Sequence, residues 1–161
     1  MNTRIFKRLS KPASSAILAL VFAFGSASAL AAGGNYSSDV DLRPIMKLLD
    51  KGDYETAINE LHDILDVDPD NADVMSLLGF SYRKIRQYED ALTFYEWALK
   101  AEPKHRGANE YLGELYLETN QFDKAVQQLE ILDSLCSFGC KEYKTLKNAI
   151  DAYQAASPSS S

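Results

Sequence analysis

Cysteine is nearly absent. Two residues, Cys136 and Cys140, stand among 161, so a small fold stapled by several disulfides is excluded. No glycine-rich phosphate loop, no nucleophile elbow and no zinc-binding histidine pair can be found, which removes the usual visible bases for catalysis. Histidine itself occurs only as His62 and His105, and neither has ligand spacing to the cysteines. Runs of alternating apolar and polar residues are missing, as are hairpin turns, so a β-sheet architecture has no support. Positive charge is scarce as well. The 17 basic residues are outnumbered by 23 acidic ones, and general nucleic-acid binding needs the opposite balance. The same deficit argues against adhesion to anionic lipid.

What is present begins with a leader. Arg4, Lys7, Arg8 and Lys11 precede an apolar stretch from Ala13 to Gly25, and small residues follow from Ser26 to Ala32. This is the pattern of a secretory signal peptide. Cleavage is expected after Ala31, with Ala29 the alternative, so residues 1–31 are expected to be removed and the chain to be exported to the periplasm. The apolar stretch is well short of the ~20 residues a spanning helix needs, so no membrane insertion is expected after cleavage. Four basic residues precede the cut and all 23 acidic ones follow it, which leaves 13 against 23 and a formal charge of −10 on the mature chain. Residues 32–37 read as a flexible entry and residues 157–161 as a frayed tail.

Between them the chain repeats itself every 34 residues. Ala57, Ala91 and Ala125 keep that step, as do Tyr54, Tyr88 and Phe122, and Leu61, Tyr95 and Leu129. Pro69 and Pro103, Gly79 and Gly113, Leu78 and Leu112, and Tyr82 and Tyr116 keep it too. A repeat of this length is one supersecondary unit that must stack on its neighbours to bury its apolar face. The units run over residues 38–71, 72–105 and 106–139. Each holds two helical patterns; in the second unit, Met75, Leu78 and Tyr82 recur at helical spacing, Arg86-Gln87 interrupts, and Tyr88, Ala91, Leu92, Tyr95, Ala98 and Leu99 begin again before Pro103. Leu146 and Ile150 continue the phase of Leu112 and Tyr116, so residues 140–156 read as a terminal capping helix. The expected fold is all-α, with three helix pairs and a cap in one domain, residues 38–156.

Leu78-Gly79, Tyr82, Ala91, Tyr95, Ala98 and Pro103 together resemble the tetratricopeptide repeat signature. The third unit departs from it at Leu132 and Ser137. The first departs more, with Pro44-Ile45 where Leu-Gly stands elsewhere, and its first helix is expected to be irregular near Pro44. The resemblance implies a solenoid whose concave wall is lined by the first helices and holds a protein or peptide partner without a cofactor or catalysis. Outward positions on that wall are Leu42, Met46 and Leu49 in the first unit, Phe80, Arg83 and Lys84 in the second, and Glu110, Tyr111, Glu114 and Leu117 in the third. The wall is thus expected to grade from apolar through basic to acidic. Family members that clamp a C-terminal carboxylate use Lys and Asn where this chain has Leu42, Met46, Leu77 and Gly107, so that mode is not expected.

Two other constellations stand apart. Phe94 and Trp97, with Ile131 one repeat after Trp97, form an expected apolar patch on the convex side, a second partner surface or a site of self-association. The two histidines are expected to be exposed. Cys136 and Cys140 flank a short loop, and Gly139 allows the helix to end between them. Three readings stay open for this pair. It is a structural disulfide in an exported protein, a thiol–disulfide exchange pair, or part of a metal-handling site.

Overall fold

A computed structural model describes residues 40–137 and 139–156. The leader, the entry and the tail of the sequence reading lie outside these residues. Seven helices follow one another: α1 (Arg43–Lys51), α2 (Tyr54–Val67), α3 (Ala72–Lys84), α4 (Tyr88–Ala101), α5 (Arg106–Glu118), α6 (Phe122–Leu135) and α7 (Lys141–Ala156). There is no strand among the described residues, and none of their helices is long and apolar enough to cross a membrane.

The 34-residue period is also a period of backbone geometry. Each first helix ends on a left-handed residue, Gly52, Arg86 and Asn120, at φ 75°, 63° and 58°. Beyond it, the amides of Asp53, Gln87 and Gln121 reach back to the carbonyls of Leu48, Tyr82 and Tyr116 at 3.0, 2.9 and 2.7 Å. This six-to-one bond terminates a helix and turns the chain sharply, so every pair reverses in the same way. The starts repeat too. Asn71 Oδ1 accepts from the Val74 amide at 3.0 Å, and 34 residues later His105 Nδ1 accepts from the Ala108 amide at 2.9 Å.

Small residues set the spacing between helices. A Cβ on Gly79 would lie 2.5 Å from Tyr95 Cε1, so only glycine lets α3 sit this close to the fully buried Tyr95 ring on α4. At Gly113 a Cβ would collide with the Leu146 side chain of α7. Ala57, Ala91, Ala98 and Ala125 have no exposed surface. Each helix packs on the next in sequence, and the first helices also touch along one side, α3 on α5 and α5 on α7. That second set of contacts lines up the inner wall.

Helix α1 corrects one expectation. Pro44 lies in its first turn, where the missing amide hydrogen has no helical partner to lose. The helix is regular and merely starts late. At the other end, Leu146 and Ile150 of α7 are buried against α5 and α6.

Candidate functional site

The first helices α1, α3, α5 and α7 present equivalent positions side by side. One row runs Leu42, Ser76, Glu110, Lys144, and the next runs Met46, Phe80, Glu114, Asn148, each at the 34-residue step. Along their N-terminal halves lies a cleft of about 530 Å³, walled by Leu42, Met46, Leu77, Tyr111 and Glu142. Its floor is low because two of the positions are small. Ser76 is 2 % exposed, and a Cβ on Gly107 would lie 3.9 Å from Ser76 Oγ. The Ser76 hydroxyl has no hydrogen-bond partner among the described residues. A second cleft, about 510 Å³, lies along the C-terminal halves, between Arg83, Glu114, Leu117 and Glu118 and the α7 residues Ala149, Ala152 and Tyr153.

Aromatic rings join the rows. Phe80 meets the Tyr54 ring edge-on at 6.3 Å and the Tyr111 ring at 5.0 Å, and Tyr111 lies 6.3 Å from Tyr95. Lys84 Nζ sits 5.2 Å above the Phe80 ring, and the Arg83 guanidinium carbon 5.5 Å.

Arg83 is not the free cation that the sequence suggested. It is 4 % exposed, and its two terminal nitrogens bond Glu114 and Glu118 of α5, each at 2.5 Å. Burial works against its charge, but the Tyr95 phenol and the two carboxylates outweigh that, so the guanidinium is held more firmly protonated than usual. Of the basic middle of the expected gradient, Arg83 is therefore neutralised from within and Lys84 stays exposed. The signal was in the register. Glu114 is one repeat beyond Phe80 and Glu118 one beyond Lys84, so the two acids flank Arg83 on the neighbouring helix.

Glu110 departs in another way. It is 7 % exposed at the meeting of α5 and α7. Burial and the nearby charges of Glu114 and Glu142 push its carboxyl up to about 7, with Lys141 and Thr145 pulling the other way. Tyr111 beside it is raised too, by burial and then by Glu110 and Glu114.

The remaining expected site residues divide. Met46, at 46 % exposed, faces outward, and Leu42, Phe80, Tyr111 and Glu114 are partly covered on the inner wall. Leu49 and Leu117 are buried core residues instead. A first helix of this solenoid packs on two neighbours, so its apolar stripe is wider than one face. Phe94 is also internal. It is 8 % exposed, stacked on Tyr82 at 5.4 Å and met edge-on by His62 and Trp97. The convex patch shrinks to Trp97 and Ile131, at 49 % and 39 % exposed, with a cleft of about 340 Å³ beside Trp97, Pro69 and Met75. The histidines are both engaged. His62 Nε2 is 2.9 Å from the Tyr82 hydroxyl, and His105 caps α5 while its Nε2 lies 2.9 Å from Asp73. Cys136 and Cys140 are joined, with Cα atoms 5.4 Å apart, between the end of α6 and the start of α7. Cys136 is buried.

Comparison with known proteins agrees with this geometry. Two family models, both described as Tetratricopeptide repeat, match residues 48–96 and 77–135. Over 51 residues the chain is 43 % identical to proteins of Caenorhabditis elegans and Caenorhabditis briggsae named Tetratricopeptide repeat protein 21 homolog. That stretch is 32 % of this chain and only 4 % of theirs. Among solved structures it is similar to the Yersinia enterocolitica type III secretion translocator chaperone SycD (TM-score 0.62, 17 % identity, 71 % of this chain and 81 % of that one). It is also similar to the first repeat domain of Spaghetti bound to the HSP90 peptide SRMEEVD (TM-score 0.59, 17 % identity, 68 % and 86 %). A third is PcrH in complex with the chaperone-binding region of PopD (TM-score 0.60, 16 % identity, 71 % and 88 %).

Proposed function

We propose, from the premise that this chain belongs to the tetratricopeptide repeat family, that it is a non-catalytic interaction module of the periplasm. It acts as a scaffold, assembly factor or holder, and it binds a segment of another protein along its inner wall. The observation that carries the reading is the cleft of about 530 Å³, where the side chains of Leu42, Met46, Leu77 and Tyr111 form an apolar strip between the charged residues Asp73, Glu102, Lys104, Arg106 and Glu142. Extended or helical segments with spaced apolar anchors suit such a surface. The peptide-bound solved structures of similar fold support it.

The address rests on the leader. N-terminal sequencing of the mature protein should begin at Ala32; intact Met1 in a cytoplasmic fraction would refute export. For the wall, Met46 is the informative position because its side chain is exposed on the cleft. Met46→Glu should weaken capture of partner from envelope extract at least tenfold, with helicity and melting unchanged. Tenfold is about 1.4 kcal/mol, within reach of one apolar anchor. If Trp97→Ser removes capture or self-association while Met46→Glu binds normally, the outer face is the site.

A further inference from the structure

With Arg83 taken up by Glu114 and Glu118, the charges on the inner wall that burial strengthens are the acids Glu110, Glu114 and Glu142, while Lys84 and Lys144 are exposed, and that names a class of ligand. Resting on the peptide-binding reading above, we propose that the groove selects an extended segment carrying lysine or arginine beside an apolar residue. The apolar side chain lies on Met46 and Leu77. The cation passes over the Tyr111 ring toward Glu142, with the buried Glu110 behind it, and a main-chain amide of the segment donates to the Ser76 hydroxyl.

Three independent features converge here. The first is charge. Glu110 and Glu142 lie close enough across the α5–α7 contact to act on each other, with Glu114 adding to them. Arg83 of α3 is already shared between Glu114 and Glu118. The second is the orphaned hydroxyl. Ser76 is 2 % exposed, lines the cleft and has no partner among the described residues. A buried polar group left unpaired costs stability, and a bound peptide amide would satisfy it. The third is the ring. An aromatic face beside a carboxylate is a favourable seat for an ammonium or guanidinium group.

Cations also stand near the cleft. Lys104 and Arg106 line its loop edge, and Lys141 acts on Glu110 from α7. All three are exposed, where salt screens them. Glu110 is buried, where the same charge acts more strongly. The elevated carboxyl of Glu110 reflects its burial first and the charges of Glu114 and Glu142 second, and it makes recognition dependent on pH.

The test uses the purified protein and three fluorescein-labelled decapeptides, in which leucine alternates with lysine, with glutamate or with serine. At about pH 8 and 0.15 M salt, the lysine peptide should bind at least tenfold tighter than the glutamate peptide. That advantage should fall at least threefold at about pH 5.5, where Glu110 is protonated. The double variant Glu110→Gln with Glu142→Gln should abolish the preference. Glu60→Gln, on the exposed outer side of α2, should leave it intact. Equal binding of all three peptides, each lost in Met46→Glu, would overturn the charge selection and leave the groove reading standing. A lysine preference reduced as much by Glu60→Gln as by the groove pair would overturn it as mere net-charge attraction. A preference that survives both the groove pair and Met46→Glu would overturn both readings, and binding of none of the peptides would overturn the selection.

Discussion

At the scale of single residues, absent atoms decide as much as present ones. Gly79 has no Cβ because Tyr95 occupies the space where one would be, at 2.5 Å, and the Tyr95 ring is wholly enclosed. An aromatic ring cannot fold aside as a lysine tip can. Gly79→Ala should therefore cost about 1–3 kcal/mol in thermal or urea melts, and an unchanged melting temperature would refute the contact. Glu110 gives a second residue-scale expectation, and its sign is unusual. Its carboxyl ionises near 7 in the folded protein against an ordinary 4.5. Between those values the unfolded chain has lost the proton while the folded chain keeps it, so stability should fall as pH rises from about 4.5 to about 7. Above that range the ionised, poorly compensated carboxylate is a standing penalty. Glu110→Gln should raise the melting temperature at pH 8 and flatten the pH dependence, as circular dichroism melts across that range would register.

At the scale of elements, the repeated device is the helix stop. Gly52, Arg86 and Asn120 adopt the same left-handed conformation at the same position, although only the first is the residue that adopts it without steric cost. Asn tolerates it, and Arg does so because the six-to-one bond and the next helix hold it. The cysteine pair acts between elements too. It joins the C-cap residue of α6 to the residue before α7, so it limits the angle at which α7 leaves the last repeat. Export to an oxidising compartment, as proposed above, would keep this bond formed. A loop this short gives at most about 2 kcal/mol of chain-entropy stabilisation. Changing both cysteines to serine should lower the melting temperature modestly and leave the inner wall able to bind, and a thiol assay on protein purified without reductant should find neither sulfur free.

At the scale of the whole molecule, each unit is stable only against its neighbours, and α7 closes the stack. Leu146 and Ile150 have at most 5 % of their surface exposed. Burying two such side chains is worth roughly 3–6 kcal/mol. Truncation after Gly139 would also uncover Leu117 and Leu132, which pack in the same cluster. The shortened chain should melt at a much lower temperature and associate in light scattering, and a truncated protein that stays monomeric with an unchanged melt would show that the last helix is dispensable. The same helix supplies Glu142 to the groove, so the element that ends the core also completes the binding wall.

The 34-residue step, read from Ala57, Ala91 and Ala125 and from the paired prolines and glycines, was enough by itself to determine the helix pairs, the all-α solenoid and the family. Those features depend on spacing along the chain, and spacing is written in sequence. Which helices line the inner wall was implied by the resemblance to the family, not by the spacing. Which side chains on that wall are free was decided only by tertiary structure. Leu49, Leu117 and Phe94 look outward on a lone helix, yet a helix gripped on two sides buries more than one stripe. Arg83 reads as an open cation until the α5 carboxylates, 31 and 35 residues further on, fold against it. Glu110 reads as a solvated acid until α7 covers it. Charge and exposure are properties of the assembled neighbourhood, because the dielectric around a group and the partners within reach of it exist only once the helices have stacked.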